Sequence, residues 1–145
     1  MVSKKEYSKI VEKHSGKSPL FKDAVRAFFV GGFICVIGQA FRDFYTFIGL
    51  NKDLSGTATS VTLIFIASLL TALGIFDKIG KFAGAGTLVP ITGFSNAVTS
   101  PAMEFKSEGL VPGLGAKIFT VAGPVIVYGT VSSVVAGIIY FLFMR

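Results

Sequence analysis

Gly80–Met103 reads GKFAGAGTLVPITGFSNAVTSPAM. From Phe82 to Met103 no side chain is charged, and the stretch is long enough to cross a bilayer. It is nonetheless unlike a plain spanning helix. Gly84, Gly86 and Gly93 loosen it, and Pro90 and Pro101 each remove a backbone donor. Thr87, Thr92, Ser95, Asn96, Thr99 and Ser100 add hydroxyl and amide groups. Facing acyl chains, such a segment would leave backbone groups unpaired at several kcal/mol each. It therefore belongs inside protein or against a watery cavity at bilayer depth. It either re-enters the membrane and returns, or crosses as a discontinuous helix.

On the N-terminal side lie two plainer crossings. Ser18-Pro19 offers a hydroxyl cap followed by a proline suited to a first helical turn. From Ala27 to Phe41 the chain is uncharged, about 22 Å of helix at ~1.5 Å per residue. That is short for a core of about 30 Å, and snorkelling of Arg26 and Arg42 closes the gap. Ala27, Gly31 and Cys35 fall four apart and form a seam for close helix packing. Gln39 is expected to face protein, and Arg42-Asp43 to form an interfacial ion pair. Gly49–Gly56 (GLNKDLSG) reads as a turn, and Thr57–Phe76 as the second crossing. Asp77, Lys78 and Lys81 mark a return to the cytoplasmic side.

On the C-terminal side, Glu104–Gly109 is a short charged link, and Leu110–Gly115 (LVPGLG) reads as a second breaker. Ile118–Met144 is uncharged and forms the last crossing, with a kink expected at Pro124. Gly129, Ser133 and Gly137 form a small-residue ridge for a helix contact. Gly84-Ala85-Gly86…Pro90 and Gly113-Leu114-Gly115…Pro124 echo one another weakly, as two glycine turns before proline-bearing runs. In a chain with 17 glycines, coincidence explains this better than a repeat.

Composition agrees. Of 145 residues, 52% are apolar, and mean hydropathy is +0.70. The formal charge of +6 is concentrated in the first 26 residues, as suits a cytoplasmic tail rather than a nucleic-acid binder. The fold class is an all-α integral membrane protein with three to four transmembrane helices. A basic cytoplasmic tail covers residues 1–22 and a transmembrane domain residues 23–145. Within the tail, Ser3-Lys4-Lys5-Glu6 has the form of a capping box, and Tyr7, Ile10, Val11 and His14 keep helical spacing. This short basic helix suits an anionic membrane surface or a docking partner, and equally a solvated tail. Gly16-Lys17-Ser18 is not a phosphate loop, because Val11 stands where glycine is required. The 26 residues before the first apolar run argue for an uncleaved first helix rather than a signal peptide.

One cysteine and one histidine leave no disulfide and no metal site. Without a Ser-His-Asp set or a pair of intramembrane carboxylates, acid–base catalysis has no carriers, so no enzyme and no cofactor are expected. Positive-inside counting does not separate a crossing 82–103 from a re-entrant one.

The stretch Gly84–Gly129, GAGTLVPITGFSNAVTSPAMEFKSEGLVPGLGAKIFTVAGPVIVYG, resembles the stage V sporulation AC protein family and, more distantly, its AE relative. The PITGF-N core, the PAMEFK-EG link and the GAK-F-AGPVIVYG run carry the likeness, and length and basic tail fit. The resemblance implies a multi-pass protein of the forespore and spore inner membrane. It implies a complex that moves dipicolinic acid, as its calcium chelate, into the forespore and out at germination, with tension as a candidate gating stimulus. The implied partners are the AE relative and a soluble dipicolinate-binding AD subunit. A non-conducting assembly subunit anchoring that soluble partner is the alternative.

For such a solute, glycine backbone and neutral hydrogen-bonding groups suit a path better than a buried full charge. The residues expected to line it are Thr87, Pro90, Thr92, Gly93, Ser95, Asn96, Thr99 and Ser100. Lys81 and Lys117 would draw anions to the mouths, and Glu104 and Glu108 would meet calcium. The plainer alternative has the hydroxyls capping broken helices while the charges sit in water. A path for so broad a solute calls for an oligomer.

Overall fold

The computed structural model describes residues 6, 7, 11 and 19–143. The capping box at Ser3, His14, the Ser18 cap and Arg145 lie outside the described residues; Glu6, Tyr7 and Val11 are helical and exposed.

Helix α1 (Leu20–Phe47) starts after Pro19 and runs for 28 residues, about 42 Å at ~1.5 Å per residue. It carries Arg26 and Arg42 inside the helix, so the span is not limited to the uncharged stretch between them. The ion pair expected of Arg42-Asp43 is absent among the described residues: Asp43 accepts a hydrogen bond from Gln39 Nε2 at 2.7 Å. Residues four apart share a helix face, whereas adjacent ones diverge. Gln39 is consequently exposed.

Helix α1 ends with Gly49 at φ +99°, where the Leu50 N–H reaches Tyr45 O and the Gly49 N–H reaches Thr46 O. This double bond pattern needs a left-handed residue, which glycine supplies without strain. Helix α2 (Lys52–Ala72) then begins five residues earlier than its sequence predicts. Asn51 accepts the Leu54 N–H at 2.8 Å, and Asp53 sits in the first turn where the helix end is positive. The second stop, at Gly74 (φ +68°), repeats the first: Ile75 N–H to Leu70 O and Gly74 N–H to Thr71 O. The second crossing therefore ends before Phe76.

Helices α1 and α2 form an antiparallel hairpin. Thr46 Oγ1 donates to Ser55 Oγ at 3.2 Å, and Tyr45 Oη and Thr62 Oγ1 lie 2.7 Å apart. Side chains buried in the fold are small or hydroxylic: Ser55, Thr59, Ala67, Ala83, Thr87, Thr92, Ser95 and Ala102, with Phe76 the large exception. Long apolar side chains point outward, as expected where acyl chains are the solvent.

The next part of the chain is broken into three pieces: α3 (Phe76–Ala83), α4 (Ala85–Leu88) and α5 (Ile91–Glu104). Gly84, at φ +52° and ψ −123°, separates the first two, and the extended backbone of Pro90 separates the last two. The longest piece, α5, has 14 residues, about 21 Å, below the ~30 Å of a hydrocarbon core. Helix α4 packs against α1 and α5 against α2.

A 3-10 turn (Lys106–Glu108) and a wide π turn (Leu110–Gly115) lead into α6 (Ala116–Phe143). The expected breaker at Leu110–Gly115 is thus no break: helical winding runs unbroken over Leu110–Phe143 and through Pro124. The two Gly-x-Gly echoes also fold differently, one as a break and one as a winding turn. Among the described residues three helices, Leu20–Phe47, Lys52–Ala72 and Leu110–Phe143, are long and apolar enough to cross a membrane.

Candidate functional site

Helix α5 is held to α2 by side chains. Thr99 Oγ1 donates to Ser68 Oγ at 3.1 Å. The Ser68 and Ser95 hydroxyls lie 2.8 Å apart, and Ser95 Oγ donates to the Ile64 carbonyl at 2.9 Å. Each hydroxyl has one proton, so the direction is fixed: Thr99 to Ser68 to Ser95 to Ile64 O. One turn further along α2, Thr71 Oγ1 meets two acceptors, Ala67 O at 2.7 Å and Asn96 Oδ1 at 2.9 Å. Turning the amide over lets Thr71 donate to Ala67 while Asn96 donates to Thr71, which satisfies both contacts with one hydroxyl proton. All these bonds land between Ile64 and Thr71, in the C-terminal half of α2. The middle of α5 is therefore fastened to the half of α2 nearer its C-terminus.

Asn96 also lines a cavity of about 240 Å³ with Phe76, Asp77, Gly80, Lys81 and Leu88. Its remaining amide atom has no hydrogen-bond partner among the described residues. Lys81 Nζ lies 2.8 Å from Asp77 Oδ2, a pair largely in solvent. Such an exposed pair holds its partners weakly, so Lys81 is able to swing toward an anion. Nearby, the Arg26 guanidinium lies 4.9 Å above the Phe82 ring centroid and 3.9 Å from Asp23. This end of the fold is a charged rim above an uncharged interior.

The structure brings Lys81 and Asn96 to one cavity, while Ser95 and Thr99 face α2 and line a separate cleft with Ile64 and Ser68; the other predicted lining residues sit elsewhere. The fully buried Thr87 donates to Gly84 O at 3.0 Å, and Thr92 Oγ1 lies 3.5 Å from Thr87 O. Both hydroxyls close on backbone inside the broken segment. Pro90 caps α5, and Gly93 packs against the Leu88 backbone, where an added Cβ would lie 2.5 Å from Leu88 Cα. Ser100 is exposed. Lys117 does not join Asn96: its Nζ lies 3.7 Å above the Phe105 ring centroid. Glu104 and Glu108 are exposed at the link.

Of the packing seams, Ala27 and Gly31 meet α4. A Cβ on Gly86 would lie 2.8 Å from Ala27 Cα, and one on Gly31 would lie 3.3 Å from Gly86 O. Cys35 borders the same groove, with Val89 and Pro90. Gly129, Ser133 and Gly137 are exposed, and Ser133 Oγ is turned back onto Gly129 O at 2.8 Å. Sequence reading missed Ser68, Thr71 and Asp77. The available signal was the spacing of Ile64, Ser68 and Thr71 along one face of α2.

Comparison with known proteins gives concordant results. A family model described as SpoVAC/SpoVAEB sporulation membrane protein matches residues 23–139. The chain is 48% identical over 143 residues to Stage V sporulation protein AC of Bacillus subtilis (strain 168), covering 98% of this chain and 95% of that protein. No solved structure matches.

Proposed function

Because this chain belongs to the SpoVAC/SpoVAEB sporulation membrane protein family, we propose that it is a subunit of a channel for dipicolinic acid, moved as its calcium chelate. Its membrane would be the forespore or spore inner membrane, entered during sporulation and left at germination. The observation that carries this reading is the Asn96 cavity. An uncharged hydrogen-bonding side chain sits beneath a rim bearing Lys81, on a segment unsuited to acyl chains. A planar dianion would be drawn by the lysine and handed to neutral donors, which release it again. The calcium chelate, with less net charge, would need even less from the rim.

The path would continue from Asn96 along the broken segment, with Ser95 and Thr99, held by α2, bracing its wall, and would be completed by neighbouring subunits of this chain or of the AE relative. One chain does not enclose it: α6 is exposed from Pro124 to Phe143, and its Gly129–Ser133–Gly137 ridge offers a contact. The soluble AD subunit would approach from the basic side.

The second reading is a non-conducting subunit that assembles the complex, favoured by the same exposed ridge. Purified protein in liposomes loaded with dipicolinate separates the two. Release or single-channel current, alone or with the AE relative, supports conduction. Silence in both preparations, with the AD subunit still bound, supports assembly and rejects conduction.

A further inference from the structure

A second cavity, of about 280 Å³, lies between the α1–α2 hairpin and the broken segment. Its walls are Phe33 and Ile37 of α1, Leu63 and Leu70 of α2, and Phe76 and Ile79 of α3. Its buried base is formed by Ala67, Thr87 and Thr92. The two threonine hydroxyls are directed to Gly84 O and Thr87 O, so what they offer the cavity is carbon. No water would settle there, since it would find no polar partner.

The position of the cavity says what fills it. Phe33 and Leu63 stand at the middle of their spanning helices, and Phe76 and Ile79 belong to the short helix at the charged end. The cavity therefore runs from the charged interface to mid-bilayer, the reach of one leaflet, roughly 15 Å of a ~30 Å core. Leu63 to Leu70 alone cover about 10 Å of helix axis at ~1.5 Å per residue. Helix α3 buries Phe76 and Ala83, borders the cavity with the partly exposed Ile79, and leaves Asp77, Lys78 and Lys81 exposed, the arrangement of a helix lying at headgroup level. The outer wall is open, with Phe33 64% exposed. An unfilled void would forfeit the dispersion contacts of its lining.

We infer that this cavity binds one acyl chain of a membrane phospholipid as a resident ligand, wedged between α1 and the broken segment. The inference rests on membrane placement and not on the permeation reading. The resident chain touches α1, α2, α3, α4 and α5 together, so it props the broken segment against the hairpin.

The sequence contains no tryptophan, which allows a single-reporter test. Phe33→Trp places the reporter on the cavity wall. Phe65→Trp places it on an outward face of α2 with nearly the same exposure, 66%. Each full-length variant is reconstituted in phosphatidylcholine with brominated acyl chains, then extracted into mild detergent. Fluorescence of Phe33→Trp should stay at least twofold quenched after extraction, while that of Phe65→Trp recovers. Adding Ala67→Phe, or Leu70→Phe should the first not fold, fills the cavity and should release the quenching of Phe33→Trp. Equal recovery at both reporters means surface lipid only and overturns the inference. So does quenching that persists in the filled variant.

Discussion

Asn96 has two amide atoms, and Thr71 engages one of them. The other has no partner among the described residues, and Asn96 lines the cavity shared with Lys81. Asn96→Leu, inserted and assembled normally, should lower dipicolinate flux several-fold in loaded liposomes, while the exposed Ser100→Ala should leave it unchanged. Equal flux in both variants would remove Asn96 from the path. Lys81→Gln tests the rim. Attraction of a dianion by one exposed cation is screened within about 8 Å at physiological salt. The loss of flux should therefore be largest at low ionic strength and fade as salt is added. At the residue scale, the stretch 82–103 was legible as polar but not as a list of lining groups. Thr87 and Thr92 have the same chemistry as Thr99, yet their hydroxyls turn inward to Gly84 and Thr87 carbonyls. Which hydroxyl spends its proton on its own backbone depends on helix breaks, and those were located only by the fold.

At the scale of elements, α5 is fastened to α2 through Thr99, Ser68 and Ser95. Hydrogen bonds between membrane helices average about 0.6 kcal/mol in double-mutant cycles and rarely pass ~1.7. A cycle of Thr99→Val and Ser68→Ala, read by thermal unfolding in detergent, should give a coupling in that range. A coupling of zero would mean that the two hydroxyls do not interact. Helix α4 is fastened by shape instead. Gly86→Val would drive side-chain atoms into the Ala27 backbone, which has no room to yield. It should destabilise the protein by about 1–3 kcal/mol, whereas Gly32→Val, at an open position, should be near neutral. The spans were legible from charge-free runs, and their ends were not. Asn51 as a cap and Gly74 as a left-handed stop shifted α2 toward the N-terminus by five residues at its start. LVPGLG, with two glycines and a proline, looks like a break, yet winding continues through a π turn because a wider turn keeps a continuous helical path around Pro112.

As a whole molecule, the chain is a hairpin of two spanning helices, a broken segment lodged on it, and a third spanning helix whose surface is exposed from Pro124 to Phe143. The membrane class and the odd character of 82–103 were both legible, since they follow from solvation of backbone and side chains. Re-entry versus crossing was not, because charge counting weighs the two topologies almost equally. What the fold adds is the docking of this segment: Ser95, Asn96 and Thr99 all bond within Ile64–Thr71. The central claim is that an uncharged, proline-broken segment sits at bilayer depth, with its polar groups turned away from acyl chains and one side reached by water. Single cysteines placed at Thr87, Asn96 and Ser107 in a Cys35→Ser background, labelled from each side of sealed vesicles with a membrane-impermeant thiol reagent, measure this directly. The predicted result is fast labelling of Ser107→Cys, slower labelling of Asn96→Cys from the same side only, and protection of Thr87→Cys. Labelling of all three at the rate of a soluble loop would contradict the account.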